Sequence, residues 1–163
     1  ALLERLQSPI VYYVEPGFLE IMQPLADACF SPVATMYHYL NMGKKSFEDM
    51  DGQDEVKLKK LFYALRASFA CKWILDKDTI PPIVFQKMLD ELEIPATLRA
   101  RIYELIELKS GKNESYLHSK EAEINAFIRE QFERAERESS NLKGRKQKSV
   151  DLDGAFLTVL NDL

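Results

Sequence analysis

The sequence predicts an all-α fold: a bundle of about seven helices with at most one short extended segment near the N-terminus. Three observations carry that expectation. Residues 54–75 contain no Gly or Pro, and Leu58, Leu61, Phe62, Leu65 and Phe69 recur at offsets of three and four, the spacing of one buried helix face. Ala122, Ile124, Phe127, Ile128, Phe132 and Ala135 form a narrow stripe of helical period among many charges. Helix starts and stops punctuate the chain: Ser31-Pro32 pairs an N-cap with Pro at the first helical position, and Pro81-Pro82 and Pro95 end helices.

Taken in order, residues 1–7 read as a short helix closed by Ser8-Pro9. Ile10, Val11, Tyr12, Tyr13 and Val14 are β-branched or aromatic and predict an extended segment. One strand makes no sheet, so residues 1–14 are a connector that packs on the helices or completes a sheet elsewhere. Glu15-Pro16-Gly17 opens a helix with Phe18, Ile21, Met22, Leu25, Ala28 and Cys29 on its apolar side and Pro24 as a kink site. The helix begun at Ser31-Pro32 runs through Val33, Met36, Tyr37, Tyr39 and Leu40 into Phe47, and 50–54 turns into the central helix. Asp54-Glu55 is expected at that helix's start, where the dipole favours negative charge. Short helices follow over 83–92 and 97–108, then a polar loop over 110–115. Ser119 is expected to head the long helix. Residues 139–149 read as a mobile basic loop, and 150–163 as a last helix carrying Phe156, Leu157 and Leu160. The whole of 1–163 is expected to be a single helical domain without internal repeats.

With 163 residues and 46% hydrophobic content, the chain can bury one good core. Its net charge of −4 excludes a uniform coat on nucleic acid but allows a local basic patch. Cys29 and Cys71 stand apart with no metal-ligand spacing, so free thiols in a reducing, cytoplasmic setting are expected. No apolar run in these residues reaches the roughly 18 that span a bilayer, and none of them reads as a basic n-region followed by an apolar signal core. The opening Ala1-Leu-Leu-Glu-Arg-Leu has neither an initiating Met nor a cap, and is read as the interior of a longer protein.

No complete catalytic apparatus is visible. Asp49-Met50-Asp51 and Asp151-Leu152-Asp153 have the spacing that holds Mg²⁺ when alternate residues of a strand project together, but they fall in a turn and at a helix start. They are read as structural. His38 and His118 lack spaced companion ligands, Ser68 and Ser115 lack a recognisable base, and every Gly is isolated, so no metal site or phosphate loop is expected. Phe69 and Trp73 are assigned to the core. The positive signal lies along the central helix, where Lys59, Tyr63, Arg66, Ala70 and Trp73 form a second row. With Lys44, Lys45, Lys57 and Lys60, and with Tyr37, His38 and Tyr39, this row could clamp phosphate oxygens and stack on a base. A solvated face balanced by Glu48, Asp49, Asp51, Asp54 and Glu55 is the alternative that charge alone leaves open.

One ordered series of residues narrows the choice. Ser8-Pro-Ile-Val-Tyr-Tyr13, Ser31-Pro32 leading to Tyr37-His-Tyr-Leu40, Lys44-Lys45, Lys57-Leu-Lys-Lys-Leu-Phe-Tyr-Ala-Leu-Arg66, Ala70-Cys-Lys-Trp-Ile74 and Pro81-Pro82 follow one another. Over roughly residues 1–93 this resembles the C-terminal half of the bacterial predicted nucleotidyltransferases of the DNA-polymerase-β superfamily, the group also proposed to act in RNA repair. Residues 94–163 match less distinctly. The resemblance implies an N-terminal α/β domain, bearing a Gly-Ser motif and a metal-binding Asp-x-Asp on a strand; neither occurs here in that context. It further implies a nucleoside triphosphate and an RNA acceptor as partners, Mg²⁺ bound by the other domain, and no catalytic or metal residue in this chain. Lys44, Lys45, Lys59, Lys60, Tyr63 and Arg66 are the expected substrate contacts. A free-standing helical protein-interaction module is the alternative function, using stripes at 18–40 and 122–135. An RNA-binding role for residues 143–148 is a third.

Overall fold

The computed structural model describes residues 2–142 and 151–162. Its helices are α1 (Leu2–Leu6), α2 (Phe18–Cys29), α3 (Pro32–Glu48), α4 (Leu58–Lys77), α5 (Phe85–Glu91), α6 (Ala96–Ser110), α7 (Ala122–Glu138) and α8 (Leu152–Asp162). Two three-residue strands, β1 (Glu55–Lys57) and β2 (Leu117–Ser119), complete it, with one 3₁₀ turn at Ser139–Asn141. The fold is the all-α class expected. None of these helices is long and apolar enough to cross a membrane.

The core is built around α4. Beyond Tyr63 this helix buries residues on every side, including Ala64, Leu65, Ala67, Phe69, Ala70, Cys71, Trp73 and Ile74, because α3, α5 and α7 all pack against it. Phe69 is fully buried, with its ring centroid 5.2 Å from both Phe85 and Phe127. The stripe of α7 also faces inward: Ile124, Phe127, Ile128, Phe132 and Ala135 are all buried. Gly43 lets α3 lie close, since a Cβ there would stand 2.6 Å from Ala67 Cβ and 2.5 Å from Phe132 Cζ. Cys71 is enclosed, and burial pushes its thiol up to about 12.

Several boundaries differ from those expected. The segment 10–14 is exposed, non-helical backbone that joins no strand among the described residues, and the two strands lie elsewhere. The acids Asp54 and Glu55 precede α4 instead of opening it, because 55–57 pair antiparallel with β2: Glu55 with Ser119, Val56 with His118, Lys57 with Leu117. Ser119 therefore ends a strand, and α7 starts at Ala122. Ser31 does cap α3, its Oγ accepting from Ala34 N–H at 3.2 Å. The basic run 143–148 lies outside the described residues.

Partly buried ion pairs lock α4 to α7 and α6 to the start of α7. Asp76 accepts from Lys72 and from Arg134 of α7, each at 2.8 Å. Burial pushes this carboxyl up, but the two cations outweigh it and hold it below the usual range. Glu121 accepts from Arg101 at 2.6 Å and contacts His118 Nε2 at 2.7 Å. The Arg101 hydrogen bond, chiefly, holds it low as well. A carboxyl held lower in the fold than in the unfolded chain stabilises the fold fully above the ordinary carboxylate value of about 4. That stabilisation is lost as pH falls through and below that value. Urea midpoints should therefore stay level from pH 7 to 5 and drop toward pH 3, and the drop should be shallower in Asp76→Asn/Glu121→Gln.

Candidate functional site

Two adjoining grooves open along the N-terminal half of α4. One, of about 550 Å³, is lined by Leu58, Lys59, Phe62 and Arg66 of α4, by Phe85 and Gln86 of α5, by Ile106, Lys109 and Ser110 of α6, and by Lys112, Asn113 and Glu114. The other, of about 470 Å³, is lined by Ser46, Lys57, Lys59, Lys60, Tyr63, Glu114 and Ser115. Lys59 and Glu114 belong to both. The loop that separates α6 from β2 reaches this place because of the strand pairing. Leu58 N–H donates to Tyr116 O at 3.2 Å, and Lys120 N–H to Asp54 O at 2.9 Å, so residues 112–116 are strapped beside the first turn of α4.

The electrostatics follow from that geometry. Lys57, Lys59, Lys60, Arg66, Lys109 and Lys112 line the two grooves, against one carboxylate, Glu114. No acid stands in the first turn of α4, and no side chain caps it. Three lysines thus crowd the positive end of a 20-residue helix, where cations are unfavourable by roughly 0.3–1 kcal/mol each. A fold optimised for stability alone would put acids there. Lys59 Nζ meets Glu114 Oε1 at 2.7 Å, and that hydrogen bond holds the exposed Glu114 carboxyl below its usual range. Lys60 reaches Asp49 Oδ2 at 3.3 Å. Lys109 Nζ stands 5.3 Å from the Phe62 centroid and Lys112 Nζ 4.9 Å from that of Tyr116, both over the rings.

Of the expected contacts, Lys59, Lys60 and the half-exposed Tyr63 come together here. Arg66 lines the first groove, but its guanidinium is engaged behind the wall. It donates to Ile83 O at 2.6 Å and to Pro82 O at 3.4 Å, holding the Pro81-Pro82 turn onto α4. Lys44 and Lys45 line neither groove. Lys44 is turned to Glu136 of α7, 2.5 Å away, and that hydrogen bond raises its pKa. Ala70 and Trp73, which continue the row, are buried. Lys109 and Lys112 were hidden in sequence, because only the fold shows that the end of α6 and the loop after it face Lys59.

The other candidates are accounted for locally. Asp49 serves Lys60, Asp51 pairs with Arg129 at 2.8 Å, and Asp151 accepts from Gly154 N–H at 2.8 Å. His118 does have a carboxylate partner, Glu121, three residues on. Among the described residues, no three His, Cys, Asp or Glu side chains gather as a metal site. The inward stripe of α7 removes one of the two surfaces that an interaction module would have used.

Comparison with known proteins gives two matches. Residues 1–158 match the model of a family described as "RNA repair pathway DNA polymerase beta family", so the likeness extends well past residue 93. The chain is 38% identical over 146 residues to the uncharacterized protein YcgL of Bacillus subtilis (strain 168), covering 90% of this chain and 56% of YcgL. The chain thus spans little more than half the length of that relative. No solved structure matches.

Proposed function

This chain belongs to the RNA repair pathway DNA polymerase beta family, and from that membership we propose that it is the helical nucleotide-binding part of a nucleotidyltransferase. The observation that supports this most is the cation cluster, five lysines to one carboxylate among the residues lining the two grooves of a chain whose net charge is −4. Lys59, Lys60, Lys109 and Lys112 would bind the phosphates of a nucleoside triphosphate, and Tyr63 would offer its ring to a base. Cations so placed stabilise charge that develops on a leaving pyrophosphate, the contribution this chain would make to the reaction.

The described acids do not fit a Mg²⁺ site, so no step here runs through the metal; in this proposal Mg²⁺ and the catalytic carboxylates belong to another domain of the complete protein. That domain is the proposed partner, with an RNA end as acceptor. The exposed segment 10–14 suits its reception. Residues 11–14 make no backbone hydrogen bond among the described residues, and the edge of a partner's sheet would satisfy them. Free Cys29 and Cys71 fit the reducing cytoplasm in which we place the protein.

Titration with a fluorescent nucleoside triphosphate tests the reading. The double substitution Lys109→Ala/Lys112→Ala should weaken binding by about tenfold or more, two charge-assisted contacts being lost. Lys44→Ala, outside the grooves, should leave it unchanged. Equal weakening by both variants, or no saturable binding at millimolar nucleotide, would refute it.

A further inference from the structure

The two grooves share Lys59 and Glu114, and their cations are spread along both. Lys57 and Lys60 lie in one, Lys109 and Lys112 in the other, and Lys59 at the junction. Each groove alone has the volume of a small-ligand site, roughly 300–1,000 Å³. A triphosphate held by Lys59, Lys60, Lys109 and Lys112 still leaves Lys57 of the same array without an anion. Aromatic surface is likewise present twice: Tyr63, half exposed, in one groove, and Phe62 with Phe85 in the other. Repeating anions with a stacking ring between them match the chemistry of a strand whose bases are unpaired.

At the junction sits Glu114, with a side chain 81% exposed and Lys59 as its partner. Its carboxylate lines both grooves and holds Lys59 as an anionic ligand would. We infer that the two grooves form one track for a single-stranded polynucleotide, in which a backbone phosphate displaces Glu114 from Lys59. The inference rests on the nucleotide-site reading of the same cleft and extends it from a mononucleotide to a strand. The partly exposed rings of Tyr63, Phe62 and Phe85 favour a single strand over a duplex, whose stacked bases offer no ring face.

The test is fluorescence anisotropy with end-labelled adenosine oligomers of one, three and eight nucleotides, as RNA and as DNA, beside an eight-base-pair duplex. Affinity should rise from the mononucleotide to the octamer by about tenfold or more, fall steeply with salt, and exceed that for the duplex. The octamer should be weakened about tenfold by Lys57→Ala/Lys60→Ala as well as by Lys109→Ala/Lys112→Ala, since it engages both grooves. Glu114→Gln, at an exposed position that does not threaten folding, should tighten it several-fold. Affinity independent of length, or dependence on one lysine pair alone, would overturn the track and leave the mononucleotide reading standing. Failure to bind any nucleotide would overturn both. Duplex binding as tight as single-strand binding would overturn the single-strand assignment. The RNA and DNA arms tell the two sources of the same chemistry apart, and tighter binding of the octamer of either sugar supports the track.

Discussion

Phe69→Ala should cost about 3–5 kcal/mol of folding stability, the range for deleting a buried aromatic side chain. Phe69 has no exposed surface, and its ring touches Phe85 of α5 on one side and Phe127 of α7 on the other. Each aromatic pair is worth about 0.5–1.5 kcal/mol beyond area burial, and both are lost together with the transfer term. Native stabilities are typically about 5–15 kcal/mol, so this one change removes a large share. It also bears on the site. Phe85 helps line the first groove, and α5 has only Met88 and Leu89 fully buried to hold it otherwise. Urea denaturation should show a midpoint shift of that size, and a cost below about 1 kcal/mol would mean that the three rings are not packed as described.

Arg66→Ala should cost about 2–3 kcal/mol while leaving nucleotide affinity of the folded protein within about threefold. The guanidinium donates to two carbonyls, Ile83 O and Pro82 O, and those oxygens lose a charged donor when it is removed. It also lowers the pKa of Tyr39, against the dominant effect of burial, so it lies close to the hydroxyl that Tyr39 donates to Glu4 at 2.9 Å. One side chain thus ties α4 to the 82–83 turn and stands beside the α3–α1 contact. Lysine cannot replace it, since a point charge does not present two donors in a fixed fork. Denaturation gives the stability term, and triphosphate titration under conditions where the variant is folded gives the other. An affinity loss of tenfold or more with stability unchanged would make Arg66 a substrate contact instead of a clamp.

Much of the fold was readable because long helices repeat their signal. Leu58 to Phe69 and Ile124 to Ala135 each supply several periods, and both stripes are buried as their spacing implies, apart from Phe62, which is partly exposed in the first groove. Ser31 capped its helix as its type and the following Pro require. The strands were not readable: three residues such as Glu55-Val56-Lys57 contain too little alternation to register, and their partner lies some sixty residues away. That gap explains the site as well. Lys59, Lys60 and Tyr63 could be named because they share a helix face, whereas Lys109 comes from the end of α6 and Lys112 and Glu114 arrive through a long-range pairing. The β-branched run at 10–14 is exposed, non-helical backbone, as its local propensity implies, and joins neither strand among the described residues.

Residue-by-residue mapping of triphosphate binding on the wild-type chain tests the central claim most directly. With amide resonances assigned, titration of a nucleoside triphosphate should shift residues 57–63 and 109–116 together, at one common dissociation constant, and leave α8 and the Lys44–Glu136 pair unmoved. Shifts confined to other surfaces, or none at millimolar nucleotide, would contradict the assignment of this cleft as the nucleotide site.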